Sequence, residues 1–334
     1  MRPSPAAGPP RRAVLASLVA GLTLGLTGCA DLSRLGDVRL DDDETVPPPV
    51  PGPDELARRA AVADARVLRD AAGAAAASAG DPALAGLLKQ VADVHAVHLE
   101  ALAAREPART PTAAPSAAPT TAPPVPPPVG ELPGRESAAA VRALGHVPEV
   151  SGGMARLLAA VGAARSACAD VVARTAGTPP PATPALVTEA TRTTWSEGLD
   201  ADAVTALTAA TEAAHAAVYG YGVVAARLTG AAQEAARAAL ADHEAAVAQL
   251  RDVLVGAGHE PPVPEVAYAL PGPAGTPAEL VELAAGIERR LAGHYAPVAA
   301  ATGSVRLLGA DLLVGTAVRE VRWTGTPTAL PGLH

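Results

Sequence analysis

The sequence predicts an all-α protein made of two helical bundles. Apolar residues recur at intervals of three and four over eight segments, the spacing that gathers them on one face of a helix. No segment alternates apolar and polar residues in the manner of a half-buried strand. Pro- and Gly-rich stretches divide the eight segments into an Ala-rich N-terminal group and a C-terminal group, and all six aromatic residues lie after residue 194.

Residues 1–28 have the features of a bacterial lipoprotein signal. Arginines near the start, including Arg11 and Arg12, precede an apolar run over 13–27 that is too short to span a bilayer. The run ends in Leu-Thr-Gly before Cys29, which resembles a lipobox and implies a diacylglyceryl group on the Cys29 thiol. Acyl chains would hold the protein at the outer face of the cytoplasmic membrane. The alternative is an ordinary signal peptide with an incidental cysteine, and the general and twin-arginine export routes both stay open.

Residues 29–53 are acidic and Pro-rich, and they are predicted to form a tether between the lipid and the folded part. An N-terminal helical region follows over 54–178, beginning its second helix with Asp81 as N-cap and proline at the first helical position. The Pro/Thr/Ala tract 106–133 inside this region is predicted to be a disordered linker, because its prolines cannot sustain a helix. The predicted helices are 54–78, 82–105, 135–144 and 153–176.

The C-terminal helical region is predicted over residues 186–331. Thr276 and Glu279 form a capping-box sequence, which makes the start of the third helix the firmest boundary. Two long helices, a connection over 256–275 and two more helices are the connectivity of a ferritin-like four-helix bundle, in which the connection runs the length of the bundle. The predicted helices are 200–228, 231–255, 277–301 and 304–323.

The two halves share a short sequence match. Residues 153–160 and 303–310 have five identities at an offset of 150. Because alanine, leucine and arginine dominate the composition, such a match also arises by chance. A degenerate repeat of one bundle and a coincidence therefore both stay open.

Charge and cysteine content limit the partners that are expected. The formal net charge is −8, and loss of the three arginines before Cys29 would make it −11, so neither nucleic acid nor an anionic lipid surface should attract the protein. Cys168 is the only other cysteine, so lipidation of Cys29 leaves no intramolecular disulfide, and helical spacing predicts that Cys168 is a small buried residue. All basic residues but one are arginines and alanine is abundant, which indicates a high-GC genome such as that of an actinobacterium.

Six residues of the C-terminal region are candidate metal ligands. Glu212 and His215 are three apart, the spacing with which ferritin-like di-metal sites present a Glu-x-x-His pair on one helix face. The other four are acidic or histidine residues on or near the apolar stripes of the next three helices. Imidazole and carboxylate together suit iron, manganese or zinc. The full set is Glu212, His215, His243, Glu288, His294 and Asp311.

The metal pattern is nevertheless incomplete. Leu240 and Leu291 stand where a second and third Glu-x-x-His pair would need glutamate. A buried histidine bonded to a carboxylate, such as a pair of His294 and Asp311, would fix helix register without metal. No catalytic triad, phosphate-binding loop or paired CxxC is present, so no enzyme and no cofactor are expected. His95 and His98, three apart on an N-terminal helix, are expected to be surface or register residues.

Several motifs of the C-terminal region together resemble a known family. They are the segment EAAHAAVYGYGVVAARL over 212–228, Pro-Pro at 261–262, Tyr-Ala-Leu-Pro at 268–271, Val-Arg-Glu-Val-Arg-Trp at 318–323 and Pro-Gly-Leu at 331–333. They resemble an actinobacterial family of domains of unknown function placed among ferritin-like folds, over about residues 200–333. The resemblance implies the fold and no established activity, so only the positions of Glu212, His215 and Tyr219 carry over as candidates.

The expected function is therefore a lipid-anchored binding or interaction module of the cell envelope, whose protein partner or small ligand is unknown. The alternative is a metal-binding oxidase or metal store that uses Glu212, His215 and facing residues. A purely structural envelope protein is the third hypothesis.

Overall fold

The computed structural model describes residues 50–105 and 128–333. The predicted signal peptide 1–28, Cys29, most of the tether 29–53 and most of the linker 106–133 lie outside the described residues. Within these ranges every regular element is helical, which confirms the all-α class. The α-helices of the described part are α1 Pro53–Ser78, α2 Pro82–Ala103, α3 Leu132–Gly145, α4 Gly152–Thr175, α5 Glu189–Arg192, α6 Ala201–Arg227, α7 Gly230–Gly256, α8 Pro277–Ala300 and α9 Val305–Thr324.

Local sequence signals set most of these boundaries. The Asp81 side chain accepts a hydrogen bond from the Ala83 amide at 2.9 Å, so it caps α2 as predicted. Thr276 and Glu279 form both bonds of the predicted capping box at the start of α8. The predicted linker, in contrast, extends too far. A 3₁₀ turn over Val129–Glu131 leads into α3 at Leu132, because proline is well tolerated in the first turn of a helix.

The long helices form two four-helix arrangements with the same pairing. In the N-terminal bundle, α1 pairs with α2, α3 pairs with α4, and the two pairs meet through α1–α3 and α2–α4. In the C-terminal bundle, α6 pairs with α7, α8 pairs with α9, and the pairs meet through α6–α8 and α7–α9. This shared connectivity favours the repeat hypothesis over coincidence.

Helix α4 is the centre of the folded part, and residues from Val50 onward form one compact unit. Helix α4 packs on the other helices of the N-terminal bundle and also against α8 and α9, so nearly all of its residues are buried. Alanine and glycine are frequent along α4, and such small residues let helices approach it from several sides. Cys168 lies fully buried on this helix, as its spacing predicts, and burial raises the pKa of its thiol well above the usual value.

Polar side chains fasten the two bundles together around α4. Arg306 of α9 donates to the backbone carbonyls of Val147 and Val150 at 3.0 and 2.8 Å. Arg322 of α9 bonds the buried Asp170 of α4 at 2.7 Å. The N-terminal and C-terminal regions are thus joined through buried and partly buried hydrogen bonds.

The C-terminal tail after α9 is part of this junction. His98 of α2 donates to the Ala329 carbonyl at 2.7 Å. Gly332 is buried with a φ of 75°, and a side chain there would overlap the Ala292 carbonyl of α8. Only glycine fits this position, because it combines a left-handed backbone with close approach to another backbone.

None of the described helices is long and apolar enough to cross a membrane.

The crossing of α8 and α9 depends on Gly309, where an added Cβ would overlap the backbone of Val298 and Ala299. We expect Gly309→Ala to lower the free energy of unfolding by about 1–3 kcal/mol, because the backbone of α8 or α9 would have to move to make room for the added methyl group. The matched control is Gly222→Ala on α6, where the added Cβ meets nothing within 4 Å. There alanine should stabilise by about 0.5–1 kcal/mol through its higher helix propensity. Denaturant unfolding of both variants measures the difference, and equal effects would contradict the close packing of α8 on α9.

Candidate functional site

One buried carboxylate lies at the centre of the C-terminal bundle. Glu288 of α8 is fully buried, and one oxygen, Oε1, is bound by a side chain from each of the other three helices. Tyr221 of α6 donates at 2.6 Å, Arg319 of α9 donates through Nε at 3.0 Å, and His243 Nε2 of α7 lies at 3.0 Å. We call these four residues the Glu288 network. Trp323 extends it by donating to the Tyr221 hydroxyl at 2.9 Å.

The electrostatics of the Glu288 network favour an ionised carboxylate. Burial by itself would raise the pKa of Glu288, but the Arg319 guanidinium and the bonds from His243 and Tyr221 outweigh it and lower the pKa. The pKa of Tyr221 is raised well above its usual value by burial and by the Glu288 charge, so its hydroxyl stays a proton donor. The network therefore contains a buried ion pair between Glu288 and Arg319, with the Tyr221 hydroxyl and the His243 ring as further hydrogen-bonding partners.

The N-terminal bundle has a polar centre of related composition. His95 of α2 bonds Glu136 of α3 at 2.7 Å, and both side chains are buried. Arg165 of α4 is fully buried and donates to the backbone carbonyls of Ala61 on α1 and Ala139 on α3, each at 3.0 Å. In both bundles the second helix supplies histidine, the third glutamate and the fourth arginine. The two centres differ in that Arg165 bonds backbone, whereas Arg319 bonds the carboxylate.

His98 is next to this N-terminal centre, one turn after His95. The two imidazole rings lie edge to face with centroids 5.4 Å apart. Burial, with the nearby charges of His95 and Arg165, lowers the pKa of His98 well below the usual value of 6.5. Of the two expected roles, surface or register residue, the structure shows the buried one for His95 and His98, and the partner Glu136 is 41 residues away in sequence.

The structure brings two of the six predicted metal ligands into hydrogen-bonding contact, and the other four make no such contact with one another in the described ranges. His243 and Glu288 meet, as their stripes predict. Glu212 and His294 are exposed, His215 is buried with no hydrogen-bond partner for Nε2 among the described residues, and Asp311 accepts from the Leu186 amide at 3.0 Å. In the described ranges, no group of three or more histidine, cysteine and acidic side chains is arranged to hold a metal ion.

Which of these six side chains meet depends on the rotation of each helix about its axis. On α6, Tyr221 points inward and Tyr219 outward, because the buried stripe runs through Ala214, Ala217 and Tyr221. On α8, which packs on three helices, the stripe is centred so that Tyr295 is buried and its neighbour His294 is not. The predicted pair of His294 and Asp311 therefore does not form.

Sequence reasoning missed Tyr221, Arg319 and Trp323. Tyr221 could have been found from its spacing to Ala214 and Ala217, which are small and therefore weak markers of a buried face. No comparable signal marked Arg319. An arginine beside an apolar stripe is often solvent-exposed, with its aliphatic stem lying over the apolar surface.

A cleft lies on the outer side of α8, away from the Glu288 network. It encloses about 440 Å³ between α8 and the crossover residues 271–273. A smaller cavity of about 130 Å³ lies between α6, α8 and residues 269–271. Pro271 and Arg290 line both spaces.

Comparison with known proteins gives one match. Residues 206–334 match the family model of a domain of unknown function (DUF4439), which is less than half of the chain. The match begins within α6 and continues through α9 and the tail. No curated protein and no solved structure matches the chain. The expected resemblance to a domain of unknown function is thereby confirmed, and its ferritin-like class and source stay predictions.

Replacing Glu288 tests whether its network holds the bundle together. Glu288→Ala leaves the Arg319 guanidinium without its buried partner, so we expect the free energy of unfolding to fall by about 3 kcal/mol or more. Glu212→Ala, at an exposed position on α6, should change it by no more than about 0.5 kcal/mol. Denaturant melts of both proteins give the comparison. Similar losses for the two variants would show that Glu288 is not the centre of a stabilising network.

His98 predicts a pH dependence of stability. Since its pKa is lower in the folded protein, the unfolded chain takes up a proton at His98 first as the pH falls below about 6.5. Stability contributed by neutral His98 is therefore complete above this pH and is lost below it, by up to about 1.4 kcal/mol per pH unit. His98→Gln should flatten the profile between pH 6.5 and 5, whereas His259→Gln, at an exposed position, should not. Urea melts at several pH values provide the measurement, and parallel profiles for wild type and His98→Gln would contradict the assignment.

Proposed function

We propose that the protein is a lipid-anchored binding module on the outer face of the cytoplasmic membrane, with a ferritin-like C-terminal bundle that has no redox role. The observation that carries this proposal is the saturation of Glu288 Oε1 by three donors, one of which is a guanidinium. An oxygen in this state serves to join helices, while Oε2 of the same carboxylate has no hydrogen-bond partner among the described residues.

A resident iron, manganese or zinc ion would require different side chains around Glu288. Arg319 Nε lies 3.0 Å from the carboxylate oxygen, so a metal bound there would be placed beside a fixed positive charge. His243 already directs Nε2 at the same oxygen, and the predicted partners Glu212 and His294 face solvent. The oxidase or metal-store alternative therefore lacks a set of converging ligands within the described residues.

The predicted lipid anchor and the folded helical part both support a binding role. The signal that ends at Cys29 and the tether 29–53 would place the acidic helical unit outside the membrane. The cleft beside α8 lies on its surface and is separate from the buried centres that hold the helices. A module of this kind would present the cleft to ligands of the envelope.

Two measurements on the full chain test this function. Expressed in a bacterium fed an alkyne-labelled fatty acid, the wild type should incorporate label, because the Cys29 thiol is the acceptor. Cys29→Ser should abolish labelling, whereas Cys168→Ser, which changes the only other cysteine, should leave it intact.

The second measurement is elemental analysis of the detergent-extracted protein after growth with added iron, manganese and zinc. We expect much less than one metal ion per chain. A stoichiometric metal content that disappears in Glu288→Gln would overturn the binding-module proposal in favour of a metal centre. Labelling that persists in Cys29→Ser would overturn the lipid anchor.

A further inference from the structure

The smaller cavity beside α8 has a nearly apolar lining with a charge at its mouth. Its walls are alanines 213, 216 and 217 of α6, Leu270 of the crossover, and Ile287 and Leu291 of α8. Only Arg290 and His294 contribute polar side chains. At about 130 Å³ it is close to the roughly 150 Å³ of an apolar cavity that accepts benzene. It is therefore large enough for one aryl ring or short alkyl group.

Arg290, which lines both the cavity and the larger cleft, is available for a ligand. It is exposed and makes no hydrogen bond or ion pair with the described residues. The neighbouring Arg289 is committed, since its Nε bonds Glu320 at 3.1 Å and its Nη1 lies 3.8 Å from Glu282. The cleft thus presents one guanidinium that is not already neutralised by an acidic neighbour.

The other charges of the cleft select the kind of anion. Glu279 and Glu282 line the same cleft, and the Glu279 carboxylate is held at the start of α8 by the amides of Gly275 and Thr276. The fixed negative charge of Glu279 opposes a multiply charged group such as phosphate. A carboxylate needs only one guanidinium, with which it can form two parallel hydrogen bonds.

We propose that this site binds a small monocarboxylate with an apolar body, with the body in the cavity of α6 and α8 and the carboxylate on Arg290. The proposal rests on the binding function above and names its ligand class. Because apolar fit and one ion pair are both needed, neither the uncharged analogue nor inorganic phosphate should bind comparably.

The test uses the full chain in detergent and 3-phenylpropionate as probe, with binding followed by titration calorimetry. The wild type should bind 3-phenylpropionate saturably. It should bind the uncharged 3-phenylpropanamide with an affinity at least about tenfold lower, because a hydrogen bond to a charged group is lost. Arg290→Gln should weaken binding of the acid by a similar factor and leave the amide unchanged. Arg251→Gln, which removes an exposed arginine of α7, is the matched control and should bind like the wild type.

A second variant tests the contribution of the apolar cavity to binding separately from that of the Arg290 charge. Ala216→Leu places a larger side chain in the cavity and should weaken acid and amide alike, and its melting temperature checks that it folds. Absence of saturable binding to the wild type, equal binding by Arg290→Gln, or tighter binding of inorganic phosphate would each overturn the assignment of this site. These failures are distinct from failure of the proposed function, which the lipid label and the metal content report.

Discussion

A single carboxylate oxygen, Oε1 of Glu288, is in contact with side chains from three other helices, and the arrangement of the C-terminal bundle depends on it. Helices rich in alanine have smooth surfaces, so apolar packing alone distinguishes poorly between neighbouring registers. A buried charge does distinguish them, because removing it from water costs several kcal/mol unless its partners are correctly placed. A displacement of α6, α7 or α9 by one turn would separate Tyr221, His243 or Arg319 from the oxygen. The network therefore defines one alignment of four long helices.

The N-terminal bundle solves the same problem with the same residue types and different bonds. His95 and Glu136 join α2 to α3, and Arg165 joins α4 to α1 and α3 through backbone carbonyls. Equal helix pairing in the two bundles, together with a His, Glu and Arg on corresponding helices, is simplest to explain by duplication of one four-helix unit. The fourth helix of the N-terminal bundle packs on both bundles, which accounts for its burial on nearly every side.

Most of the fold was predictable because its signals are local. Asp81 and the pair of Thr276 and Glu279 mark helix starts through bonds within a few residues, and the apolar spacing gives the lengths. The polar centres depend on which way each helix is turned, and only contacts between distant segments fix that. His243 and Glu288 were predictable because large apolar neighbours define their stripes. Tyr221 lies among alanines, which are buried on several faces of a helix, so the sequence indicated its direction only weakly.

The docked tail and the bonds of Arg306 have a consequence for how the matched family should be understood. The sequence match starts at residue 206, yet α9 within it donates to Val147 and Val150, and the tail within it accepts from His98. The segment defined by sequence similarity is thus smaller than the unit that folds. A chain cut at the start of the match would expose the face of α8 and α9 that now covers α4. In this chain α4 occupies that face, so the matched segment on its own would need another surface, from a second copy or from a partner, in place of α4.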